Sequence, residues 1–242
     1  MIDIHSHIIP RVDDGSGSIE ESLKMLRSAV RQGVTAIIAT SHSDAFLDNA
    51  NLVPVKYKLL QDAVKEKGIP ITLGFGTELY CAVPYIEENL ELLNSGTYPT
   101  MNGTDYVLAE FSTRVSEENA VFCLTRLQEG GYKPILAHAE RCVFIDERAA
   151  ESLRERGIFF QINVYSVKEE KDAAIRNRAN MLLRKGLADF AGSDAHRMIH
   201  RPPAYTEGIK HMYREYDHDY IDKVLIHNPQ KCFFEKHASA FL

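Results

Sequence analysis

The chain has 242 residues, a formal net charge of −6 at neutral pH and a pI near 5.9. This length suits one large domain or two small ones, and 45% hydrophobic residues supply enough apolar surface for one substantial core. The sequence is acidic overall and has no basic stripe, which argues against a general nucleic-acid-binding protein. A charged content of 26% is ordinary for a globular protein and argues against disorder.

The first residues do not show the basic segment followed by an apolar segment that is typical of a secretion signal. No apolar run approaches the ~18 residues that are needed to span a bilayer. We therefore expect a cytoplasmic protein without membrane insertion. The four cysteines lack a paired CxxC spacing, so neither a zinc knuckle nor a disulfide framework is predicted.

Short β-branched runs alternate with segments of helical period along the whole chain. The predicted strands are residues 2–5, 35–40, 71–74, 106–111, 134–138, 159–164 and 188–191. The predicted helices are residues 18–32, 54–67, 84–94, 116–130, 146–156, 169–185 and 203–215. Ser18 and Glu21 form a capping box at the start of the first helix. Asn228-Pro229 predicts a turn before a short C-terminal helix.

Seven successive βα units predict an α/β protein with a parallel sheet and external helices. A single barrel of about seven units is the first choice, and an open doubly wound sheet is the alternative, since alternation does not distinguish them. In both, functional residues gather at the carboxyl ends of the strands.

Histidines and carboxylates fall at those carboxyl ends in an unusual number. They are His5, His7, His42, Glu78, Glu110, His138, Asp194 and His196. Asp13 and Asp14 lie in the first loop, within reach of the same end. Residues i and i+2 of a strand share a face, so His5 and His7 can point at one ion.

This set of side chains predicts a metal centre. Each histidine alone is more often structural than ligating, but their recurrence at successive strand ends is not expected by accident. Imidazoles combined with carboxylates suit Zn, Mn or Fe. Two such ions about 3.5–4 Å apart can generate hydroxide and clamp an in-line phosphoryl displacement.

The ordered motifs resemble the PHP (polymerase and histidinol phosphatase) superfamily from residue 2 to about residue 230. They are His5-x-His7, Asp13-Asp14-Gly15, Thr40-Ser41-His42, Gly76-x-Glu78, Glu110, His138-x-x-Arg141, Ser193-Asp194-x-His196 and Arg201-Pro202-Pro203. Within the superfamily they are most similar to the PHP-type protein tyrosine phosphatases encoded with bacterial capsule and exopolysaccharide synthesis.

The resemblance implies a single domain, residues 1–242, folded as a distorted (β/α)7 TIM-like barrel that holds three divalent ions, most often Mn, with Fe or Zn possible. By position, the first ion takes His5, His7, Glu78 and Asp194. Glu78 is shared with the second ion, which also takes Glu110 and His138. The third takes Asp14, His42 and His196, with Asp13 as an open alternative to Asp14.

Arg141 and Arg201 match family arginines that grip phosphate and support catalysis. Four ligating carboxylates against three divalent ions leave a formal charge of about +2, which two arginines raise to about +4. Such a site suits a phosphate dianion in an otherwise acidic protein.

The implied function is a metal-dependent protein tyrosine phosphatase, in which a hydroxide bridging two metals attacks phosphotyrosine. The expected substrate is the tail of an autophosphorylating bacterial tyrosine kinase that regulates capsule or exopolysaccharide synthesis. Two alternatives remain open at this point. One is a small-molecule phosphatase of the histidinol-phosphate type, and the other is a non-catalytic PHP metal-binding module.

One further motif imitates a different phosphatase chemistry. Cys142 and Arg148 have the Cys-x5-Arg spacing of cysteine-dependent tyrosine phosphatases. Those enzymes need a glycine-rich loop that cradles phosphate and lowers the thiol pKa. The intervening residues here are bulky and two are acidic, so we interpret the spacing as a coincidence.

Overall fold

The computed structural model describes residues 1–48 and 52–235, so residues 49–51 and 236–242 of the predicted domain lie outside the described part. Its strands are β1 (Ile2–Ser6), β2 (Ala36–His42), β3 (Thr72–Tyr80), β4 (Tyr106–Glu110), β5 (Lys133–Leu136), β6 (Phe159–Asn163) and β7 (Phe190–Gly192). Its helices are α1 (Ile19–Arg31), α2 (Ser43–Asp48), α3 (Leu52–Glu66), α4 (Ile86–Asn94), α5 (Glu117–Glu129), α6 (Glu147–Glu155), α7 (Ala173–Arg184), α8 (Thr206–Glu215) and α9 (His218–Asp222).

The strands are parallel and follow one another in chain order, from β1 to β7. The segment that follows β7 pairs with β1, since Asp194 N–H donates to His5 O and His7 N–H donates to Ala195 O, each at 2.8 Å. The first and last strands of an open sheet in this order would lie far apart. The predicted barrel is therefore confirmed, and the open doubly wound sheet is wrong.

Strand β3 is longer than predicted and carries Glu78 within it. The apolar run predicted a strand over residues 71–74 only. In the structure Gly74 and Gly76 let the loop around Met101 pack against the sheet: a Cβ at Gly74 would lie 3.1 Å from Asn102 Oδ1, and one at Gly76 would lie 3.1 Å from Met101 Sδ. The glycines mark a close approach of two segments, so the strand continues to Tyr80.

The C-terminal turn predicted at Asn228-Pro229 is also wrong. Both residues have helical dihedral angles, and they join two π-helical turns, Lys223–His227 and Gln230–Phe234. Pro229 lies directly before the second of these turns with φ −64°, the value that its ring fixes and that a helix accepts. Pro229 therefore continues a helical path instead of breaking it. By contrast, the N-cap of the predicted capping box is confirmed, because Ser18 Oγ accepts from Glu21 N–H at 3.2 Å. The Glu21 carboxylate accepts from Gly17 N–H at 2.8 Å in place of Ser18 N–H.

Two apolar layers hold the barrel together. The larger lies between the strands and the surrounding helices. The smaller fills the barrel interior with buried residues of five strands, among them Ile2, Ile38, Leu108 and Ile135. Phe233 of the C-terminal segment packs into this smaller cluster and is 5.2 Å from Phe190 between ring centroids. Within the described ranges, every helix is too short or too polar to cross a bilayer.

Candidate metal centre

All nine side chains predicted as ligands meet at the carboxyl ends of the strands. Their ligand atoms form four overlapping groups, each within 4.8 Å: His7, Asp14, His42 and His196; His5, Glu78 and His138; His5, His7 and Asp194; His42, Glu78 and Glu110. His7 therefore also joins the group expected for the third ion, and His5 joins the group around His138. The structure brings these residues together, and it lets His5 and His7 each belong to two groups.

Glu78 lies at the middle of the centre. Its Oε1 atom is 3.1 Å from His5 Nε2 and 3.0 Å from His138 Nε2. Its Oε2 atom is 3.2 Å from His7 Nε2 and 3.0 Å from His42 Nδ1. A carboxylate with two oxygens facing separate pairs of imidazoles has the geometry of a ligand that two neighbouring ions share.

The ring of His5 is oriented by Gln161, a residue that sequence reasoning missed. Gln161 Oε1 accepts from His138 N–H at 2.7 Å, which establishes that the oxygen of this amide faces the site. The same oxygen lies 3.2 Å from His5 Nδ1, so that nitrogen carries the proton. His5 Nε2 is thereby left with its lone pair directed at Glu78 and Asp194, as metal ligation requires.

Asp13 performs the same task for His7. Its Oδ2 atom is 3.0 Å from His7 Nδ1, and its Oδ1 atom accepts from Gly15 N–H at 3.0 Å. Asp14 instead turns toward the centre, with Oδ1 3.2 Å from His196 Nε2 and 3.4 Å from His42 Nε2. The geometry places Asp14, and not Asp13, among the potential ligands. Asp13 holds a ring in place.

His196 is prepared as a neutral ligand. Its Nδ1 atom lies 2.9 Å from the carbonyl oxygen of Asp194, which only accepts, so Nδ1 is the protonated nitrogen. Burial and the neighbouring His7 lower the pKa of His196 to about 3. Within the described part of the chain, the buried Nε2 atom forms no hydrogen bond, although Asp14 Oδ1 lies 3.2 Å away, because an unprotonated nitrogen has no proton to donate to a carboxylate. A neutral imidazole with an unused buried nitrogen fits a metal site.

The charges of the centre shift one another's pKa values. Burial would raise the pKa of Glu78, but the adjacent imidazoles of His5 and His138 hold it well below its ordinary value. Burial would lower the pKa of His138, but Glu110 and Glu78 raise it to about 10. Anionic oxygens are thus concentrated in a buried place and require positive charge beside them, from protons or from divalent ions.

The backbone around the centre is strained at three predicted site residues. His138, Asp194 and Arg201 have φ values of +30°, +53° and +52°, a region that residues with side chains rarely adopt. Gly192 lets β7 approach β1, since a Cβ there would lie 2.7 Å from His5 Cβ. Strain of this kind persists where the surrounding structure enforces it, and it clusters at functional sites.

The two arginines predicted to bind phosphate both contact the carboxylate of Asp194. Arg141 Nη1 lies 2.8 Å from Asp194 Oδ2, and Arg201 Nη1 lies 3.3 Å from the same oxygen. Arg141 is also held from its other side, because its Nη2 donates to the Tyr165 hydroxyl at 2.6 Å. Two guanidinium groups therefore flank the metal centre, each with donors available to an anion.

The Cys-x5-Arg spacing does not form a phosphate site. Cys142 is buried in the layer between barrel and helices, and burial together with Glu140 raises the pKa of its thiol to about 12. Arg148 lies on the surface and pairs with Glu117. A thiol of this kind is not a nucleophile at neutral pH, which supports the interpretation of the motif as a coincidence.

Some functional side chains were not foreseen from the sequence. Gln161 and Asn163 end β6 and continue the network, since Gln161 Nε2 donates to Asn163 Oδ1 at 2.9 Å and Asn163 Nδ2 donates to Asp194 Oδ2 at 3.3 Å. Their i, i+2 spacing in an otherwise apolar strand was the available signal. The sixth strand thus contributes supporting amides where the other strands contribute potential ligands.

Comparison with known proteins agrees with this geometry. The family model described as capsular polysaccharide synthesis, CpsB/CapC, matches residues 1–234. The tyrosine-protein phosphatase CpsB of Streptococcus pneumoniae is 31% identical, with 98% of this chain and 99% of the relative covered. The tyrosine-protein phosphatase YwqE of Bacillus subtilis is 32% identical, with 82% and 78% covered.

A solved structure from work on Bacillus subtilis YwqE and Streptococcus pneumoniae CpsB, described as unique metal-dependent tyrosine phosphatases, superposes with a TM-score of 0.77. It shares 29% sequence identity and covers 91% of this chain and 90% of that one. The predicted barrel and the predicted resemblance are both confirmed. The chain belongs to the CpsB/CapC family of capsular polysaccharide synthesis.

Proposed function

We propose that this chain is a metal-dependent protein tyrosine phosphatase, with residues 1–242 acting as one phosphatase domain. The observation that carries the proposal is the convergence of nine potential ligands and two arginines at one end of the barrel. The names of the CpsB and YwqE relatives support the choice of phosphotyrosine as substrate. Neither of the two alternatives is favoured by a specific feature of the site.

Three divalent ions, with manganese as the first choice, are proposed for the centre. The residues that would hold them are His5, His7, Asp14, His42, Glu78, Glu110, His138, Asp194 and His196. Bound ions would activate the attacking water and offset the negative charge of the phosphoryl group. The orientation of His5 by Gln161 and of His7 by Asp13 supports this set, because each leaves a lone pair directed inward.

The arginines supply the protein's own contribution to phosphate binding. Arg141 and Arg201 contact Asp194 in the structure, and both have guanidinium N–H groups left to donate to phosphoryl oxygens. The planar fork of arginine matches two oxygens of a phosphate at once, which lysine does not do. Tyr165 and Asp194 hold Arg141 from two sides and so limit the entropy lost when phosphate binds.

The leaving group of phosphotyrosine is a phenolate, whose conjugate acid has a pKa of about 10. It departs more easily than an alkoxide, so the reaction depends less on a general acid. The proposed substrate is the phosphorylated tail of an autophosphorylating tyrosine kinase in polysaccharide export. The proposed compartment is the cytoplasm, since all four cysteines lie in the described part of the chain and are free, as is usual in a reducing environment.

Metal-resolved kinetics on the purified protein test the proposal. Bound metals are quantified, and hydrolysis of a phosphotyrosine peptide is compared with that of histidinol phosphate, with and without a chelator. We expect turnover of the peptide that disappears with the metals and returns when Mn²⁺ is added. A preference for histidinol phosphate would contradict the proposed substrate. Activity that survives complete metal removal would contradict the metal mechanism.

A further inference from the structure

A cleft of about 430 Å³ opens directly beside the metal centre. His42 and Glu110, two of the potential ligands, form its inner end. Its outer part runs between Leu47 of α2 and the segment that contains Tyr80 and Tyr85. We call this space the aromatic cleft. A substrate whose phosphate lies at the centre extends into this cleft if its leaving group points toward His42 and Glu110.

Three large apolar or aromatic side chains in the walls of the aromatic cleft are exposed to solvent. Leu47 is 54% exposed, Tyr80 is 42% exposed and Tyr85 is 51% exposed, although each is a large side chain. The buried ring of Tyr98 also lines the space. Scattered exposed apolar residues are common, but several facing one concave space beside a catalytic centre are typical of a ligand site.

The cleft is fixed by hydrogen bonds to the backbone of its central residue. Tyr80 N–H donates to Ser43 Oγ at 3.2 Å, and Tyr80 O accepts from Asn89 Nδ2 at 3.0 Å. Ser43 begins α2 and Asn89 lies on α4, so two helices hold the end of β3 between them. The wall therefore exists before a ligand arrives, which reduces the entropy lost on binding.

Charge decides which part of a phosphate ester enters the cleft. Its described lining includes the acidic side chains of Asp44, Glu88 and Glu110 and no lysine or arginine. Arg141 and Arg201 do not line the cleft and lie against Asp194. A phosphate is thus repelled from the cleft and attracted to the arginines, whereas an uncharged ring is accepted between the apolar walls.

We propose that the aromatic cleft receives the phenyl ring of phosphotyrosine and produces a preference for aryl over alkyl phosphate esters. This inference rests on the proposed phosphatase function and adds the residues that select the leaving group. Leu47, Tyr80 and Tyr85 are specificity-determining residues in it. Stacked or edge-to-face aromatic contacts contribute about 0.5–1.5 kcal/mol each beyond simple burial, which corresponds to roughly two- to tenfold in affinity.

Two non-hydrolysable probes separate ring from phosphate. Phenylphosphonate and methylphosphonate carry the same charged group, and their binding to the Mn²⁺-loaded protein is measured by calorimetry. We expect the wild type to bind phenylphosphonate roughly tenfold more tightly. Tyr85→Ala and Leu47→Ala should each reduce this preference to about threefold or less while the affinity for methylphosphonate stays unchanged. Phe122→Ala is the matched control, because Phe122 is 45% exposed on α5 and outside the cleft.

Equal affinity of the wild type for the two phosphonates, or an unchanged preference in both cleft variants, would overturn the assignment of the cleft. All three substituted side chains are about half exposed and lie outside the buried core, so loss of folding does not obscure the result. Turnover of phosphotyrosine and phosphoserine peptides is measured in parallel. A wild type that hydrolyses neither would reject the proposed function, while the binding experiment still reports on the cleft by itself.

Discussion

The two ends of the barrel are built from the same strands but differ in almost every physical respect. In β1, Ile2 and Ile4 pack among apolar side chains of the interior, whereas His5 joins the metal centre one residue later. A shift in register between Asp3 and Ser6 accompanies this change of environment. One strand therefore serves packing over its first half and chemistry over its second.

The energetics of the two ends differ accordingly. The apolar end gains stability from buried hydrocarbon. The carboxyl end buries carboxylates and imidazoles and strains the backbone at His138, Asp194 and Arg201. Both features cost folding free energy. The comparison teaches that stability comes from one end of the barrel and function from the other, and substitutions at each end test it.

The largest effect is expected at the carboxyl end, for Glu78→Gln. The amide keeps the shape of the side chain but removes the charge that four imidazoles surround. Stabilisation of the phosphoryl charge by metals is worth several kcal/mol, so kcat/KM should fall by at least about 10³-fold. The variant should still unfold in one cooperative transition in urea, so the loss lies in the site and not in the fold.

Glu91→Gln is the control for Glu78→Gln, because Glu91 is exposed on α4, away from the centre. It should leave both turnover and stability unchanged. Near-normal turnover of Glu78→Gln with bound Mn²⁺ would show that Glu78 is not a required metal ligand. It would also contradict the assignment of function to the carboxyl end of the barrel.

At the apolar end, Phe233→Ala should produce the opposite pattern. Phe233 is buried against Tyr106 and Phe190, and its removal leaves a cavity under the barrel. The free energy of unfolding should fall by about 3 kcal/mol, measured by urea denaturation. Turnover per folded molecule should remain that of the wild type. A large loss of kcat without loss of stability would show that the two ends are coupled.

The same contrast explains what the sequence predicted and what it did not. The seven strands and the ligand set follow from local patterns: apolar runs of strand length, and histidines or carboxylates where each run ends. These patterns can be recognised in the sequence alone, without knowledge of the fold. The length of β3 was missed, because whether Gly74 and Gly76 end a strand depends on the distant loop at Met101 that packs on them.

At the site, side chains that act through others were missed for the same reason. Gln161 and Asp13 matter because of the ring nitrogens they contact, and those contacts exist only after the barrel closes. The aromatic cleft combines α2, the end of β3 and α4, three segments without a common motif. Sequence patterns therefore identify groups with their own chemistry, while groups that position them require the structure.

Tyr165 provides a smaller test of such a positioning role. Its hydroxyl accepts from Arg141, and Tyr165→Phe removes that bond without changing the ring. A hydrogen bond to a charged group contributes about 1.5–3 kcal/mol, so kcat/KM should fall roughly tenfold. Inhibition by inorganic phosphate should weaken by a similar factor, because Arg141 is then less well oriented.

The control for Tyr165→Phe is Tyr57→Phe, which removes a hydroxyl that donates to Leu73 O near the start of β3. Neither phosphate inhibition nor kcat/KM should respond to it. If Tyr165→Phe lowered stability but left phosphate inhibition intact, Tyr165 would stabilise the fold and would not position Arg141.

The smallest effect is expected for Cys142→Ser, although this residue follows Arg141 directly in the chain. The thiol lies in the apolar layer, and its pKa of about 12 leaves almost no thiolate at neutral pH. The buried serine hydroxyl costs about 1–3 kcal/mol if it finds no partner, so activity is measured per folded molecule and Cys142→Ala is tested beside it. Both variants should keep kcat/KM within about twofold of the wild type, a change far smaller than the loss of a catalytic group would produce.

Complete loss of turnover in two folded variants would place the chemistry on the thiol and reject the metal mechanism. Unchanged turnover would show that the boundary between packing and chemistry runs between adjacent residues, Arg141 and Cys142.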